Sequence, residues 1–248
     1  HRLAQPAWQW INILLLPPAG MTHRRQDREP RIIESFSKHV TTYDKHAQLQ
    51  KSMAERLASF LPDPLPKSVL EIGCGTGMFT RHLLARSVKT LALNDIAPAM
   101  INHLKARNEV PAKTQTIGGN AETLAFPMVD MIVANAVFHW FQNTLATLKR
   151  LNSFIPPGGR LVFSTFGPQT LKEFREAGGM ESPITMHSFS HWGKMIREAG
   201  LRIAESDSEI RKVFFADALT LAKNLQQIGA APLRSANTGE LKKLIRNY

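Results

Sequence analysis

The run Val69-Leu70-Glu71-Ile72 is apolar but for one carboxylate, and it breaks into Gly73-Cys74-Gly75-Thr76-Gly77 ahead of a helical pattern. Glycine tolerates positive φ and carries no Cβ, so such a loop lets a ligand rest on backbone N–H groups at a helix N-terminus. A second run, Thr90-Leu91-Ala92-Leu93, ends in Asn94-Asp95. Asp95 lies about twenty residues past the glycines, where a carboxylate that grips ribose hydroxyls is expected. Gln115-Thr116-Ile117-Gly118-Gly119 then closes on Asn120-Ala121-Glu122, and Val129-Asp130-Met131-Ile132-Val133-Ala134 closes on Asn135. Asn120 and the backbone of Ala121 could meet the polar edge of an adenine. Four strands thus deliver polar groups to one rim of a parallel sheet, where ligands of open α/β sheets bind, and a nucleoside is the expected ligand.

The elements that must hold these groups follow an α/β alternation. Phe79 to Ala85 reads as the helix after the glycine loop, and Leu49, Met53, Leu57 and Phe60 recur at helical spacing upstream. The glycines are spaced GxGxG, unlike the GxGxxG of dinucleotide dehydrogenases, and no second mononucleotide half follows. A strand-to-helix turn that binds nothing is the plain alternative, with Asp95 a helix N-cap ahead of Pro98.

With 248 residues and 43% hydrophobic content the chain can bury one sizeable core. The only cysteine, Cys74, sits inside the loop, which rules out an intramolecular disulfide or a cysteine cluster and fits a reducing cytoplasm. None of the nine histidines falls in a paired metal spacing, so no metal is expected. The net charge of +11 is scattered rather than blocked with aromatics, which reads as solvated surface. The apolar stretch from Trp8 to Leu16 is shorter than the ~18 residues of a membrane span. Residues 1–30 are expected to be a disordered or non-native extension.

The segments EIGCGTG (71–77), LNDIAPAM (93–100), GGNAE (118–122) and VDMIVANAVFHWF (129–141) resemble the S-adenosylmethionine-dependent methyltransferases. FSKHVTTYDKHA (36–47), PPGGRLVFSTFGPQTLKEF (156–174) and NLQQIGA (224–230) narrow the resemblance to the malonyl-[acyl-carrier-protein] O-methyltransferases, which open the pimeloyl branch of biotin synthesis. The resemblance spans about residues 33 to 240. It implies a Rossmann-like class I fold: a mostly parallel sheet with helices on both faces, a helical lid at 31–62, a cofactor-binding core at 66–166, and a substrate-side region at 167–248. The last, antiparallel strand of that class is expected to be missing. Asn120 stands where relatives commonly carry aspartate, and His139 where glutamine is frequent.

By the same resemblance Gly73, Gly75 and Gly77 line the methionine part of S-adenosylmethionine, and Glu71 orders the loop and the cofactor's amino group. Asp95 takes the ribose, Ile96 flanks the adenine, Asn120 and Ala121 meet its edge, and Asn135 closes the rim. Tyr43 on the lid, with His139, Trp140 and Thr165, is the candidate for the acceptor. The expected partner is acyl carrier protein bearing a malonyl group, recognised by basic residues such as Lys194, Arg197, Arg211 and Lys212. A monomer acting in the cytoplasm, without membrane or nucleic-acid partners, is expected.

The chemistry agrees with the lack of an obvious base. Methyl transfer from a sulfonium is an in-line displacement, and a carboxylate acceptor is already ionised at neutral pH. The N-P-P-Y motif of nucleobase amino methylation is absent after Asn135, and Cys74 is not placed for C5-pyrimidine attack. A free small acid such as aconitate, another small molecule, an RNA substrate, or cofactor binding without catalysis remain the alternatives.

Overall fold

The computed structural model describes residues 8–9, 28–178 and 186–230. The expected N-terminal extension lies almost wholly outside the described residues, as do residues 231–248. The chain gathers into two compact units.

The sheet unit comprises residues 47–165 and 190–206. Its five parallel strands are β2 (Ser68–Ile72), β3 (Thr90–Asp95), β4 (Gln115–Gly118), β5 (Met131–Ala134) and β6 (Arg160–Phe163), in the order β4-β3-β2-β5-β6. The chain winds outward from β2 through β3 to β4, then returns to pair β5 on the other side of β2. This reversal puts a topological switch point between β2 and β5, at whose carboxyl ends open sheets bind ligands.

Period-two alternation divides the strands between two cores. Val69, Leu91, Leu93, Met131 and Val133 join one cluster with residues of α3 (Gln48–Ala58), α4 (Thr80–Ala85) and α5 (Pro98–Ala106). Leu70, Ile72, Ala92, Ile132 and Ala134 join the other, with Leu148 and Leu151 of α6 (Thr144–Asn152) and Trp192 and Met195 of α8 (Phe189–Glu198). Helices therefore cover both faces, as expected. At the amino edge, Ser68 donates from both N and Oγ to Asp130 Oδ2 at 3.0 and 2.8 Å, which fixes the register of β2 against β5.

The helical unit takes its described residues from 28–46, 166–178, 186–189 and 207–230, with 8–9. It holds α1 (Arg28–His39), α2 (Tyr43–His46), α7 (Lys172–Gly178), α9 (Ala218–Gln227) and a two-residue ladder between β1 (Trp8–Gln9) and β7 (Ile210–Arg211). Ser35 Oγ donates to Gly229 O at 2.9 Å and Thr42 Oγ1 to Gln227 O at 3.1 Å, so side chains near the start of the chain satisfy carbonyls that the end of α9 leaves open. The helical region expected over 31–62 is thus shared: α1 and α2 go with this unit, and α3 with the sheet.

Within β3, Asn94 is 1% exposed and its Nδ2 donates to Ile117 O at 2.8 Å and Gly119 O at 3.0 Å. Asn94→Ala removes the donor to two half-buried carbonyls. We expect a loss of about 1–3 kcal/mol, read as a lower urea midpoint at unchanged m-value.

Candidate functional site

The loop after β2 is held by strand β3. Cys74 N donates to Asn94 O at 2.9 Å, and Gly75 N to Asp95 Oδ2 at 2.8 Å. The three glycines all have positive φ, +65°, +54° and +88° for Gly73, Gly75 and Gly77, but their missing side chains serve different ends. A Cβ on Gly73 would lie 2.4 Å from Val137 Cγ2, and one on Gly77 2.5 Å from Leu104 Cδ2. These two positions are small so that the β5 loop and α5 can close on the turn. A Cβ on Gly75 would meet nothing within 4 Å, nor would one on Gly118 at the end of β4. Open space therefore lies over the loop at the switch point, as a bound nucleoside needs.

Two buried carboxyl groups sit beside this space. Glu71 is 1% exposed and accepts from Thr80 Oγ1 at 2.7 Å, which ties the end of β2 to the first turn of α4. Burial pushes its carboxyl from 4.5 up to about 8, with a further push from the Asp95 charge, opposed by Thr80 and Arg81. Asp95 is 6% exposed, and its Oδ1 accepts from Ala97 N at 2.8 Å. Burial raises it from 3.8 to about 6, against the pull of the Ala97 and Gly75 N–H groups. Burial, then Asp95 and Glu71, also lifts the Cys74 thiol well above its ordinary value, so it is not a nucleophile. A ligand carrying ammonium and sulfonium charge suits such a pair of acids, because it offsets the desolvation that holds Glu71 neutral.

On the β4 side, Asn120 Oδ1 accepts from Glu122 N at 2.9 Å, forming an Asx turn that sets the backbone of Ala121, a buried residue. Ile96 follows Asp95, half-buried. On the β5 side, Asn135 joins three elements: its Nδ2 donates to Gln50 O of α3 at 3.1 Å, and its Oδ1 accepts from Ser164 Oγ at 2.8 Å. Ser164 Oγ in turn accepts from the N–H of Ala136, whose φ of +55° is strained for a residue with a side chain. Asn135 thereby braces the rim between α3 and the end of β6.

The segment after Asn135 forms a 3₁₀ turn, Phe138–Trp140. Phe138 is fully buried, stacked on Phe163 at 4.2 Å and set edge-on to Trp192 at 5.9 Å, so it anchors the turn in the core. His139 is buried with its ring 5.3 Å from that of Trp140, which is half-buried. Thr165 lies two residues past β6, and its buried hydroxyl takes no hydrogen bond from the described residues. The sheet unit thus brings Glu71, the glycines, Asp95, Ile96, Asn120, Ala121, Asn135, His139, Trp140 and Thr165 to the carboxyl side of its strands. Tyr43 belongs to the helical unit, its ring edge-on to Phe36 at 6.3 Å.

Several bracing residues escape a sequence reading. Gln50 and Ser164 are ordinary polar residues whose partners are distant in the chain, and Thr80 meets Glu71 across the glycine loop. Only the burial of Gln50 on the core face of α3, an amide where the helical pattern wants an apolar side chain, leaves a trace. Among the described residues no three His, Cys, Asp or Glu side chains gather as a metal site requires, and no helix is long and apolar enough to cross a membrane.

Residues 43–232 match a family model described as a methyltransferase domain. The chain is 32% identical to a malonyl-[acyl-carrier protein] O-methyltransferase of Paenibacillus sp., with 77% of each chain covered. It is 31% identical to that of Bacteroides thetaiotaomicron, covering 84% of this chain and 80% of the relative. A biotin biosynthesis bifunctional protein of Cellvibrio japonicus is 31% identical over 86% of this chain, which spans 43% of that longer protein. Among solved structures, a methyltransferase of Thermotoga maritima aligns with a TM-score of 0.55 at 16% identity, covering 74% of this chain and 94% of that one. A chain of the Haloferax volcanii complex with the Trm112 methyltransferase activator aligns at 0.58 and 19%, covering 73% and 79%. These two likenesses bear on the fold.

Because Glu71 and Asp95 titrate higher folded than unfolded, the folded chain holds extra protons from the ordinary carboxyl range up to about 8 and about 6 respectively. Stability is then fullest below about pH 4 on their account and declines as pH rises through these values. Glu71→Gln keeps a partner for Thr80 and removes the larger contribution. In urea unfolding we expect it to match the parent near pH 4 and to exceed it by on the order of a few kcal/mol near pH 8. Parallel curves across that range would contradict a protonated Glu71.

Proposed function

The chain belongs to the S-adenosylmethionine-dependent methyltransferases, in the malonyl-[acyl-carrier protein] O-methyltransferase family, and on that footing we propose that it methylates the free carboxylate of a malonyl thioester carried on acyl carrier protein. The product is the malonyl methyl ester that primes pimeloyl synthesis for biotin. The observation that carries the reading is the open space over Gly75 and Gly118, edged by Asp95 and the 120–121 turn, along the carboxyl ends of β2, β3 and β4. The names borne by the relatives supply the acceptor.

S-adenosylmethionine supplies an electrophilic methyl group on a sulfonium. The loop of Gly73, Gly75 and Gly77 receives its amino-acid part, with Glu71 holding the loop in shape. Asp95 accepts from the ribose hydroxyls with the lone pairs that Gly75 and Ala97 leave over. Ile96 packs on the adenine, Asn120 and Ala121 fix its polar edge, and Asn135 keeps the rim in place. On the acceptor side, Thr165 offers a hydroxyl that has no partner among the described residues, and His139 an imidazole, to a carboxylate, while Trp140 excludes water. Tyr43, which the resemblance makes a candidate for the acceptor, belongs to the helical unit. No residue has to remove a proton, since the acceptor is an anion at neutral pH. The task left to the protein is alignment.

A basic surface steers an acidic carrier. Lys194 and Arg197 lie exposed on α8, whereas Arg211 is paired with Glu209 at 2.7 Å. Turnover of the carrier substrate is expected to fall as salt rises, and turnover of malonyl coenzyme A to fall less.

The direct test offers malonyl carrier, malonyl coenzyme A and free diacids with isotopically labelled S-adenosylmethionine, read by mass spectrometry. The label is expected on the malonyl carrier. Label on a free diacid alone would favour the small-acid alternative. Asp95→Ala is expected to weaken binding of S-adenosylhomocysteine about tenfold or more by calorimetry. Since the Asp95 carboxyl titrates near 6, parental affinity is also expected to fall as pH drops below that value.

A further inference from the structure

Glu122 follows the base-reading turn, yet its side chain leaves that turn altogether. Its Oε1 accepts from Gln142 N at 2.9 Å, Asn143 N at 3.0 Å and Thr147 Oγ1 at 3.2 Å, and its Oε2 accepts from Gln142 N at 3.0 Å. Its backbone N–H donates to Asn120 Oδ1. These partners surround the start of α6, whose N-cap Asn143 accepts from Ala146 N at 3.0 Å. The first turn of a helix has unpaired N–H groups and a positive dipole end, so a carboxylate there is well matched. The cap comes from another loop, twenty residues away in sequence. Directly before it lies the 3₁₀ turn that carries His139 and Trp140.

We propose that Glu122 is a positioning residue that couples the cofactor's base to the acceptor side of the site. Its backbone holds the turn that presents Asn120 and Ala121, while its carboxylate holds the segment that runs from His139 into α6. Ordering either end restrains the other. The proposal rests on the assignment of 120–121 to the adenine and 139–140 to the acceptor. Glu122 touches neither substrate, so its loss weakens binding of both and spares the transfer step.

The bonding pattern supplies its own control. Three of the four bonds end on Oε1, a place that the carbonyl of glutamine can take, whereas alanine keeps none. In the full chain, Glu122→Ala is expected to raise KM for S-adenosylmethionine and for the malonyl carrier about tenfold each, with kcat within about twofold. Glu122→Gln is expected to stay within about threefold of the parent on all three. A fall in kcat with both KM values unchanged, or a defect that glutamine does not rescue, overturns the proposal.

A second measurement does not depend on which acceptor is used. Amide hydrogen exchange over residues 138–147 is expected to slow when S-adenosylhomocysteine binds the parent chain, and that response is expected to vanish in Glu122→Ala at saturating ligand. A parent chain that binds S-adenosylhomocysteine without any change over 138–147 overturns the coupling. A chain that binds S-adenosylhomocysteine and shows the exchange response, but leaves malonyl carrier unmethylated, sustains the coupling while refuting the acceptor.

Discussion

Two consecutive residues at the end of β3 hold three loops together. Asn94 O accepts from Cys74 N, and Asp95 Oδ2 accepts from Gly75 N, which seats the glycine turn. The Asn94 amide donates to the carbonyls of Ile117 and Gly119, and Asp95 O accepts from Gly119 N, which seats the end of β4. Asp95 Oδ1 accepts from Ala97 N at the entry to α5. These bonds are buried or partly buried, where a polar group without a partner is costly. The three loops are therefore placed by one dipeptide, and the shape of the nucleoside region depends on it.

The far side of the switch point is built by other means. Val137 occupies the space that a Gly73 side chain would fill, and Phe138 buries itself between Phe163 and Trp192. Ser164 meets both Asn135 and the strained Ala136. One side is held by hydrogen bonds to backbone, the other by apolar packing and a short polar chain. Glu122 crosses between them. This division suits a site in which a polar nucleoside and a small anion have to be brought into line.

The strands, their polar ends and the glycine loop could be read from the sequence because each is local: apolar alternation, a break, then a helix. The four runs read as strands each hold one, a fifth stands at Arg160–Phe163, and the order β4-β3-β2-β5-β6 is that of a doubly wound chain. The phrases FSKHVTTYDKHA and LQQIGA were legible as motifs but not as neighbours. The structure gives the reason for them, since Ser35 and Thr42 bond the carbonyls of Gly229 and Gln227 and the ring of Phe36 lies 3.2 Å from where a Gly229 Cβ would stand. The parts that stayed illegible were pairings between ordinary polar residues: Ser164 with Asn135 and Thr147 with Glu122, far apart in the chain, and Thr80 with Glu71 across the glycine loop. No composition or period marks such pairs before the fold brings them together.

The unequal surroundings of the three loop glycines imply two kinds of selective constraint within five residues. At Gly73 and Gly77 an added side chain meets Val137 or Leu104, so on top of the positive backbone angle a variant there has to displace a core side chain. At Gly75 the neighbouring atoms forbid nothing; only the backbone angle and the molecule that occupies the space do. Packing within the fold thus bears on two of the three glycines, while the third answers to its backbone angle and to whatever fills the space above it.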